Sequence, residues 1–201
     1  MVKNKVKMTD KFLVIYNCCG VSKTNIDMWS DHIDSILKQK ECNFDLVISG
    51  CMVSEEGQST LIGKLSNLDF KNNIFINFIN ELHPINVTFN NSCILCSEIE
   101  NYRGFLFMSS DIKFLNDDDF KRMFNFHIEH NVGISNFIVD NENWIPKHIS
   151  LEFWNILQNQ HADFPFGHTI NCDCVIFDSS IYETYGKLMP DIFRSWCTES
   201  V

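Results

Sequence analysis

The sequence predicts an α/β protein in which a mainly parallel central sheet is flanked by helices. Short apolar runs alternate with amphipathic stretches four times before residue 130, which is the pattern of layered strands and helices. The chain of 201 residues can bury one sizeable core and is short for two. No internal repeat or proline- or glycine-rich linker interrupts it. We therefore expect one domain over residues 12–201, preceded by a flexible N-terminus over residues 1–11.

The first two strands and helices follow from the hydrophobic pattern. "KFLVIYN" is a compact apolar run and predicts a strand at Lys11–Asn17. A helix follows it, because the next apolar positions share one helical face. They are Ile26, Trp29, Ile33, Ile36 and Leu37. "FDLVIS" predicts a second strand at Phe44–Ser49, and Ser54–Leu65 is expected to be a helix weakened by two glycines.

The remaining elements continue this alternation. "NIFINFI" is expected to be a strand, and a third helix opens near a proline, which a first helical turn favours. Its apolar residues roughly share one face: Ile85, Phe89, Leu95, Cys96 and Ile99. "GFLFM" is the fourth strand. The sequence further predicts helices at residues 116–130, 150–160 and 179–186, and strands at residues 133–140 and 174–178.

Charge and cysteine content limit the classes of partner and compartment. The chain carries 16 basic and 26 acidic residues, a formal net charge of −10. Broad nucleic-acid binding requires neutralised phosphates, so no nucleic-acid partner is expected. Nine cysteines without a secretory signal indicate reduced thiols and a cytoplasmic protein. No apolar stretch approaches the length of a transmembrane segment, while peripheral contact with a membrane stays open.

The loops after the strands are the places to search for a site, because ligands of such sheets bind at the carboxyl ends of the strands. Signatures of dinucleotide-binding loops, Walker A loops and nucleophile elbows are absent from the sequence. In "GFLFMSSDIKF" the fourth strand would deliver Asp111 to this edge. A carboxylate there suits Mg²⁺ or Mn²⁺, which also takes phosphate oxygens. The alternative is that Asp111 marks a surface turn.

Three other groups of metal-ligating residue types have sufficient structural explanations. Cys93 and Cys96 lie inside a predicted helix, where free cysteine is a common core residue. His127 and His130 approach the end of a helix, where a cationic side chain is favourable. The acids at residues 117–119 open that same helix, where carboxylates cap the chain and favour the dipole. We interpret all three groups as structural.

Several motifs in order resemble the family 2 glycosyltransferases, which have the GT-A fold. "VIYNCCG" follows the first strand, "SILKQ" closes the first helix, "LVISGC" is the second strand, "NVTFNNSC" precedes the fourth strand and "LFMSSDI" ends it. The tail "YGKLMPDIFRSWCTESV" is similar to the segment that carries the late acidic motif of the family. The resemblance extends from Phe12 to Val201 and rests on the shared order of the motifs.

The resemblance implies a single Rossmann-like GT-A domain and an enzyme of the hexosyltransferase type. This enzyme would transfer a sugar from a nucleotide-diphosphate sugar to a saccharide or other hydroxyl acceptor, with inversion. A Mg²⁺ or Mn²⁺ ion bound by Asp111 would assist. Glu199 matches the general base. The residues that match nucleotide-sugar contacts are Tyr16, Asn17, Ser49, Asn90, Ser109 and Ser110.

The sequence also departs from the family pattern. Serine stands at Ser49, where an acid usually contacts the base, and at Ser109, where the metal motif usually begins with an acid. The chain stops two residues after Glu199, whereas the family continues with a helix and acceptor-side elements, so a truncated or a reduced member is expected. These departures keep two alternatives open: a non-catalytic domain that binds a nucleotide sugar or a partner, and an α/β enzyme of the nucleotidyltransferase type.

Overall fold

A computed structural model describes residues 10–19, 26–67, 70–79, 85–108, 112–131, 133–139, 144–149 and 174–186. The strands are β1 (Phe12–Cys19), β2 (Phe44–Cys51), β3 (Ile74–Ile79), β4 (Gly104–Met108), β5 (Ile134–Val139), β6 (Trp144–Ile149) and β7 (Cys174–Asp178). The helices are α1 (Ile26–Leu37), α2 (Glu55–Leu65), α3 (Ile85–Ser97), α4 (Asp119–His130) and α5 (Ser179–Tyr185). The helix expected at residues 150–160 lies outside the described residues.

All of these strands join one sheet in the order β3-β2-β1-β4-β7-β5-β6. Strands β3, β2, β1 and β4 are parallel to one another, whereas β7 pairs antiparallel with both β4 and β5, and β6 pairs antiparallel with β5. This arrangement confirms the predicted α/β domain with one mainly parallel sheet. Strand β6 is an addition that the sequence did not predict.

Alternate side chains of the parallel strands enter two cores, one on each face of the sheet. Val14 and Tyr16 of β1 point to a core that also contains Trp29 of α1 and Phe120 of α4. Leu13 and its neighbours on the other face pack against α3 and α5. Because helices cover both faces, β2 and β4 are buried along their whole length, as expected of parallel strands.

The buried face of α3 differs from the predicted one. Phe89 and Cys96 are buried as expected, but Leu95 is 52% exposed and Ile99 is 63% exposed. Cys93 completes the buried stripe instead, since positions 89, 93 and 96 are spaced by four and three residues along one helical face. The prediction was wrong because it followed hydrophobicity and passed over a small thiol.

One buried carboxylate connects the amino ends of all four parallel strands. Asp45 of β2 is fully buried and accepts a hydrogen bond from the Tyr102 hydroxyl at 2.8 Å, just before β4. It also accepts bonds from the backbone N–H and the side-chain amide of Asn73, just before β3, at 2.9 and 3.3 Å. Lys11, just before β1, pairs with Asp45 at 2.8 Å and with Glu100 at 2.9 Å. Asp45 therefore fixes the edge of the sheet that lies opposite the expected ligand edge.

Candidate functional site

Polar residues of β1, β2 and β3 form a row near the carboxyl ends of these strands. β1 and β2 continue two residues beyond their predicted ends, to Cys19 and Cys51. Asn17 and Ser49 therefore lie within strands. In the register of the sheet, Asn17 is beside Ser49, and Ser49 is beside Asn77. The structure thus brings two of the predicted donor-binding residues together and adds Asn77 to them.

Side chains of α3 hold most of this polar row. The Thr88 hydroxyl donates to Asn17 Oδ1 at 3.3 Å. The Asn77 amide donates to Ser92 Oγ at 2.9 Å, and that hydroxyl donates to the Thr88 carbonyl at 2.9 Å. Ser49 Oγ is buried and has no hydrogen-bond partner among the described residues. The row therefore contains one hydroxyl whose hydrogen-bonding capacity is unused within the described part of the chain.

Sequence reasoning missed Asn77, Thr88 and Ser92, although each left a signal. Asn77 is a lone amide inside the apolar run "IFINFI". Thr88 and Ser92 are four residues apart on α3, so they lie on the same side of the helix as the buried Phe89 and Cys93. A polar residue in an apolar strand, facing two hydroxyls at helical spacing, indicates a buried hydrogen-bonded contact.

Asn90, another predicted donor-binding residue, is also on α3. It is half-buried and two positions after Thr88, so it lies on a different side of the helix from the hydroxyl that contacts β1. Its predicted contact with a nucleotide sugar stays a prediction.

Tyr16 lies on the opposite face of the sheet from Ser49. It is beside Ile48 in the register, one position from the Asn17–Ser49 pair. Its ring is fully buried, packs edge-on against Trp29 with centroids 6.0 Å apart, and its hydroxyl is 3.3 Å from His32 Nδ1. The structure therefore places Tyr16 in the core under α1. Its predicted role in nucleotide binding stays a prediction.

Four predicted site residues fall outside the described part of the chain. They are the metal ligand Asp111, the general base Glu199, and the donor-binding residues Ser109 and Ser110. Their neighbours in sequence, Met108 and Ile112, are both buried, and Met108 is beside Tyr16 in the sheet. Within the described ranges, no group of three or more His, Cys, Asp or Glu side chains could hold a metal ion. The described residues therefore offer no metal centre of their own, and Asp111 stays a predicted ligand.

The other metal-ligating residue types have structural partners. Asp119 is buried and accepts a bond from the Asn116 backbone N–H at 3.1 Å. His127 is fully buried and its Nδ1 is 2.8 Å from Ser135 Oγ. Burial raises the pKa of the Cys96 thiol to about 12, so this residue stays a neutral core thiol.

A buried polar network around Asp178 was also missed by sequence reasoning. Asp178 caps α5 by accepting the Ser180 N–H at 2.9 Å, and it lies 3.3 Å from Arg103 and 3.7 Å from His127. Burial raises the pKa of Asp178, but the nearby His127 ring, the hydrogen bonds from Ser180 and the charge of Arg103 outweigh it and lower the pKa below its usual value. The signal in the sequence was an acid directly before "SSIYETYG", which is an N-cap position.

No helix in the described segments is long and apolar enough to cross a membrane.

Comparison with solved structures identifies the fold. The mannosyltransferase PcManGT from Pyrobaculum calidifontis, solved with GDP-Man and Mn²⁺, aligns with a TM-score of 0.62 at 11% identity, over 90% of this chain and 48% of that one. TarS 1-349 from S. aureus, solved with UDP, aligns with a TM-score of 0.57 at 15% identity, over 92% and 52%. The chain has a divergent GT-A-type glycosyltransferase fold, and it spans about half the length of these structures.

A nucleotidyltransferase is also similar in structure. A Bacillus anthracis protein named as a glucose-1-phosphate thymidylyltransferase aligns with a TM-score of 0.51 at 9% identity, over 92% of this chain and 77% of that one. No protein-family model matches the sequence, and a search of curated proteins finds no match. The comparisons therefore establish the fold, whereas the reaction has to be inferred from the residues of the site.

Proposed function

We propose that the protein is a glycosyltransferase of the hexosyltransferase type, which transfers a sugar from a nucleotide-sugar donor to a saccharide or other hydroxyl acceptor. One observation carries this proposal. A GT-A fold covering nine-tenths of the chain has predicted donor-binding residues side by side near the carboxyl ends of β1 and β2, where ligands of such sheets bind. The mannosyltransferase with this fold was solved with a nucleotide sugar and Mn²⁺.

The donor is proposed to bind at the carboxyl ends of β1, β2 and β4. Asn17 and Ser49 are neighbours there, and the free hydrogen-bonding capacity of the Ser49 hydroxyl suits a polar group of a nucleotide. β4 ends at Met108, so residues 109–111 follow this edge directly in the sequence. Ser109 and Ser110 would contact the diphosphate there.

Glu199 is proposed as the general base. It would take the proton of the acceptor hydroxyl as that oxygen attacks the anomeric carbon, while the bond from this carbon to the diphosphate breaks and the configuration inverts. A Mg²⁺ or Mn²⁺ ion, if bound, would be held by Asp111 and would supply charge neutralisation for the departing diphosphate. Glu199→Gln should abolish transfer and spare nucleotide binding; retained transfer would remove Glu199 from the mechanism.

Calorimetric titration with UDP and with GDP tests donor binding, each with and without Mn²⁺. Binding of either nucleotide that strengthens with Mn²⁺ is the expected result. An absence of binding to both nucleotides under both conditions would refute the proposal.

A matched pair of serine variants tests the placement of the site. Ser49→Ala removes a buried hydroxyl without a described partner, so the melting temperature should not fall, while nucleotide affinity falls about tenfold. Ser92→Ala removes a hydroxyl that bonds Asn77 and the Thr88 carbonyl, so it should lower stability by about 1–3 kcal/mol. Unchanged affinity in Ser49→Ala would remove Ser49 from the donor site.

Two alternative functions are distinguishable. The thymidylyltransferase with a similar fold favours a nucleotidyltransferase, which would release pyrophosphate from a nucleoside triphosphate, whereas a glycosyltransferase would not. Ser49 and Ser109 stand where the family usually has acids, and this departure favours a non-catalytic domain. Such a domain would bind the nucleotide sugar, or a partner, without turnover in the presence of saccharide acceptors.

A further inference from the structure

Met52 adopts a backbone conformation that long apolar side chains rarely take. Its φ angle is 54°, in the left-handed region, where a Cβ is crowded by a backbone carbonyl oxygen. The other non-glycine residues with positive φ in the described ranges are Glu41 and Asn131. Asn131 is the C-cap of α4, where asparagine is readily left-handed, and Glu41 is an exposed residue paired with Lys121. Neither explanation applies to Met52.

The chain on both sides of Met52 holds it in this conformation. Cys51 before it ends β2 and is buried, and Val53 after it is also buried. The Met52 backbone N–H donates to the Ile79 carbonyl of β3 at 3.1 Å. A left-handed residue persists when its surroundings fix it in this way. Glycine would form the same turn without steric cost, so the presence of a methionine side chain there requires a separate reason.

The Met52 side chain is exposed at the edge of the sheet that is assigned to the donor. It is 47% exposed and belongs to the connection between the carboxyl end of β2 and α2, where ligands of such sheets bind. Among the exposed large apolar side chains of the described segments, Met52 alone directly follows the carboxyl end of a parallel strand. It therefore adds an exposed apolar group to an edge at which Asn17, Ser49 and Asn77 are polar.

We propose that Met52 contacts the nucleobase of the donor. A nucleotide combines charged phosphates and a polar ribose with a flat base, and the faces of the base are its large apolar surface. A methionine thioether packs favourably against aromatic rings, whereas it offers phosphates neither a charge nor a hydrogen-bond donor. This inference rests on the proposed function and adds to it a residue that determines affinity for the base. A binding role also explains why a strained backbone is kept at this position.

Variants at position 52 separate the side chain from the backbone. Met52→Ala removes the thioether and keeps a Cβ, Met52→Gly removes both, and Met52→Leu keeps an apolar side chain of similar size. Met52→Lys has a similar length and carries a cation that phosphates would attract. Glu41→Gly is the matched control, because Glu41 has a φ angle of 55° and lies before the amino end of β2. Calorimetry with UDP and with GDP, in the presence of Mn²⁺, gives dissociation constants, and circular dichroism gives melting temperatures.

Met52→Ala and Met52→Gly should each weaken nucleotide binding about threefold to tenfold, because one contact with the base is lost. Met52→Leu and Glu41→Gly should stay within about twofold of the unmodified protein. Met52→Lys should bind nucleotide no more tightly than the unmodified protein. Met52→Gly should melt about 2–4 °C above Met52→Ala, because glycine relieves the left-handed conformation.

Four results would overturn this assignment. Unchanged affinity in Met52→Ala and Met52→Gly would refute the base contact, while the proposed function stands. Tighter binding by Met52→Lys would place the residue at the phosphates and would refute the base contact as well. Equal melting temperatures of Met52→Ala and Met52→Gly would refute the strain from which the role is inferred. If the unmodified protein binds neither nucleotide, the proposed function fails and this inference fails with it.

Discussion

Asp45→Asn is the most informative perturbation of the fold. Asp45 is the carboxylate that four hydrogen-bond donors reach from residues before β1, β3 and β4. Asparagine has nearly the same shape, but it has one acceptor oxygen and carries an NH₂ group in place of the other. Two of the four donors would therefore face another donor in a buried site.

The expected cost follows from these contacts. An unpaired buried donor costs about 1–3 kcal/mol, and breaking a buried ion pair costs about 3–5 kcal/mol. Lys11 keeps its second partner, Glu100, at 2.9 Å, so the loss should lie near the lower end, at about 3 kcal/mol. For a chain of this length, that free energy corresponds to a fall of roughly 6–12 °C in melting temperature.

The pH dependence provides a second and independent measurement. Burial raises the pKa of Asp45, but the hydrogen bonds from Lys11, Asn73 and Tyr102 outweigh it and hold the pKa below its usual value. A carboxyl with a lowered pKa contributes stability above its unfolded pKa of about 3.9 and loses it as the pH falls through the folded value. The free-energy difference between the unmodified protein and Asp45→Asn should therefore shrink on acidification below about pH 4.

Urea unfolding followed by circular dichroism at neutral and acidic pH measures both quantities. Glu100→Gln is the matched control, because its carboxylate also bonds Lys11 but is 32% exposed, and it should cost less than about 1 kcal/mol. A cost below about 1 kcal/mol for Asp45→Asn at neutral pH would refute the assigned role. A cost that is the same at neutral pH and at the most acid pH would refute the assigned pKa.

Three further expectations concern other positions in the fold. Gly63→Ala on α2 should stabilise the protein by about 0.5–1 kcal/mol, since a Cβ there meets no atom within 4 Å. Gly50→Ala should instead lower the melting temperature, since its Cβ would collide with a carbonyl oxygen of β1, and equal thermal shifts for the two variants would contradict this. His127→Leu leaves the buried Ser135 hydroxyl without its 2.8 Å partner and should cost at least about 1–3 kcal/mol in urea unfolding, so an unchanged midpoint would contradict the contact. Burial raises the pKa of Cys42 to about 11, so its alkylation near neutral pH should be on the order of a hundredfold slower than in the urea-unfolded chain. Peptide mass spectrometry measures both alkylation rates, and equal rates would refute the raised pKa.

The order and type of the elements in the parallel half were predictable, because continuous apolar runs and helical periodicity dominate that part of the sequence. β4 coincides with the predicted "GFLFM", and α1 contains the five residues of its predicted apolar face. The ends of β1 and β2 were not predictable in the same way. The predicted strands stopped at Asn17 and Ser49, because polar residues end the apolar runs there, but pairing within the sheet continues both strands to Cys19 and Cys51.

Strand β6 was missed because Pro146 interrupts its pattern. Proline cannot donate to a ladder and normally argues against a strand. In the described sheet, however, β6 pairs only with β5, and an edge strand can accommodate a proline whose missing N–H is not needed. Sequence periodicity does not report which strands form an edge, so this strand required the structure.

The two ends of the parallel strands use polar residues in different ways, and this difference supports the assignment of the site. At the amino end, every contact of Asp45 is an ion pair or hydrogen bond within the chain, so the charge stabilises the sheet and leaves nothing for a ligand. At the carboxyl end, Asn17 and Asn77 are held by α3, while the Ser49 hydroxyl between them has no partner in the described residues. An unused buried hydroxyl lowers folding stability, and a binding function explains why it is kept. Ser49 lies between two restrained amides. Its replacement is therefore the change that best separates nucleotide binding at this edge from the stability of the fold.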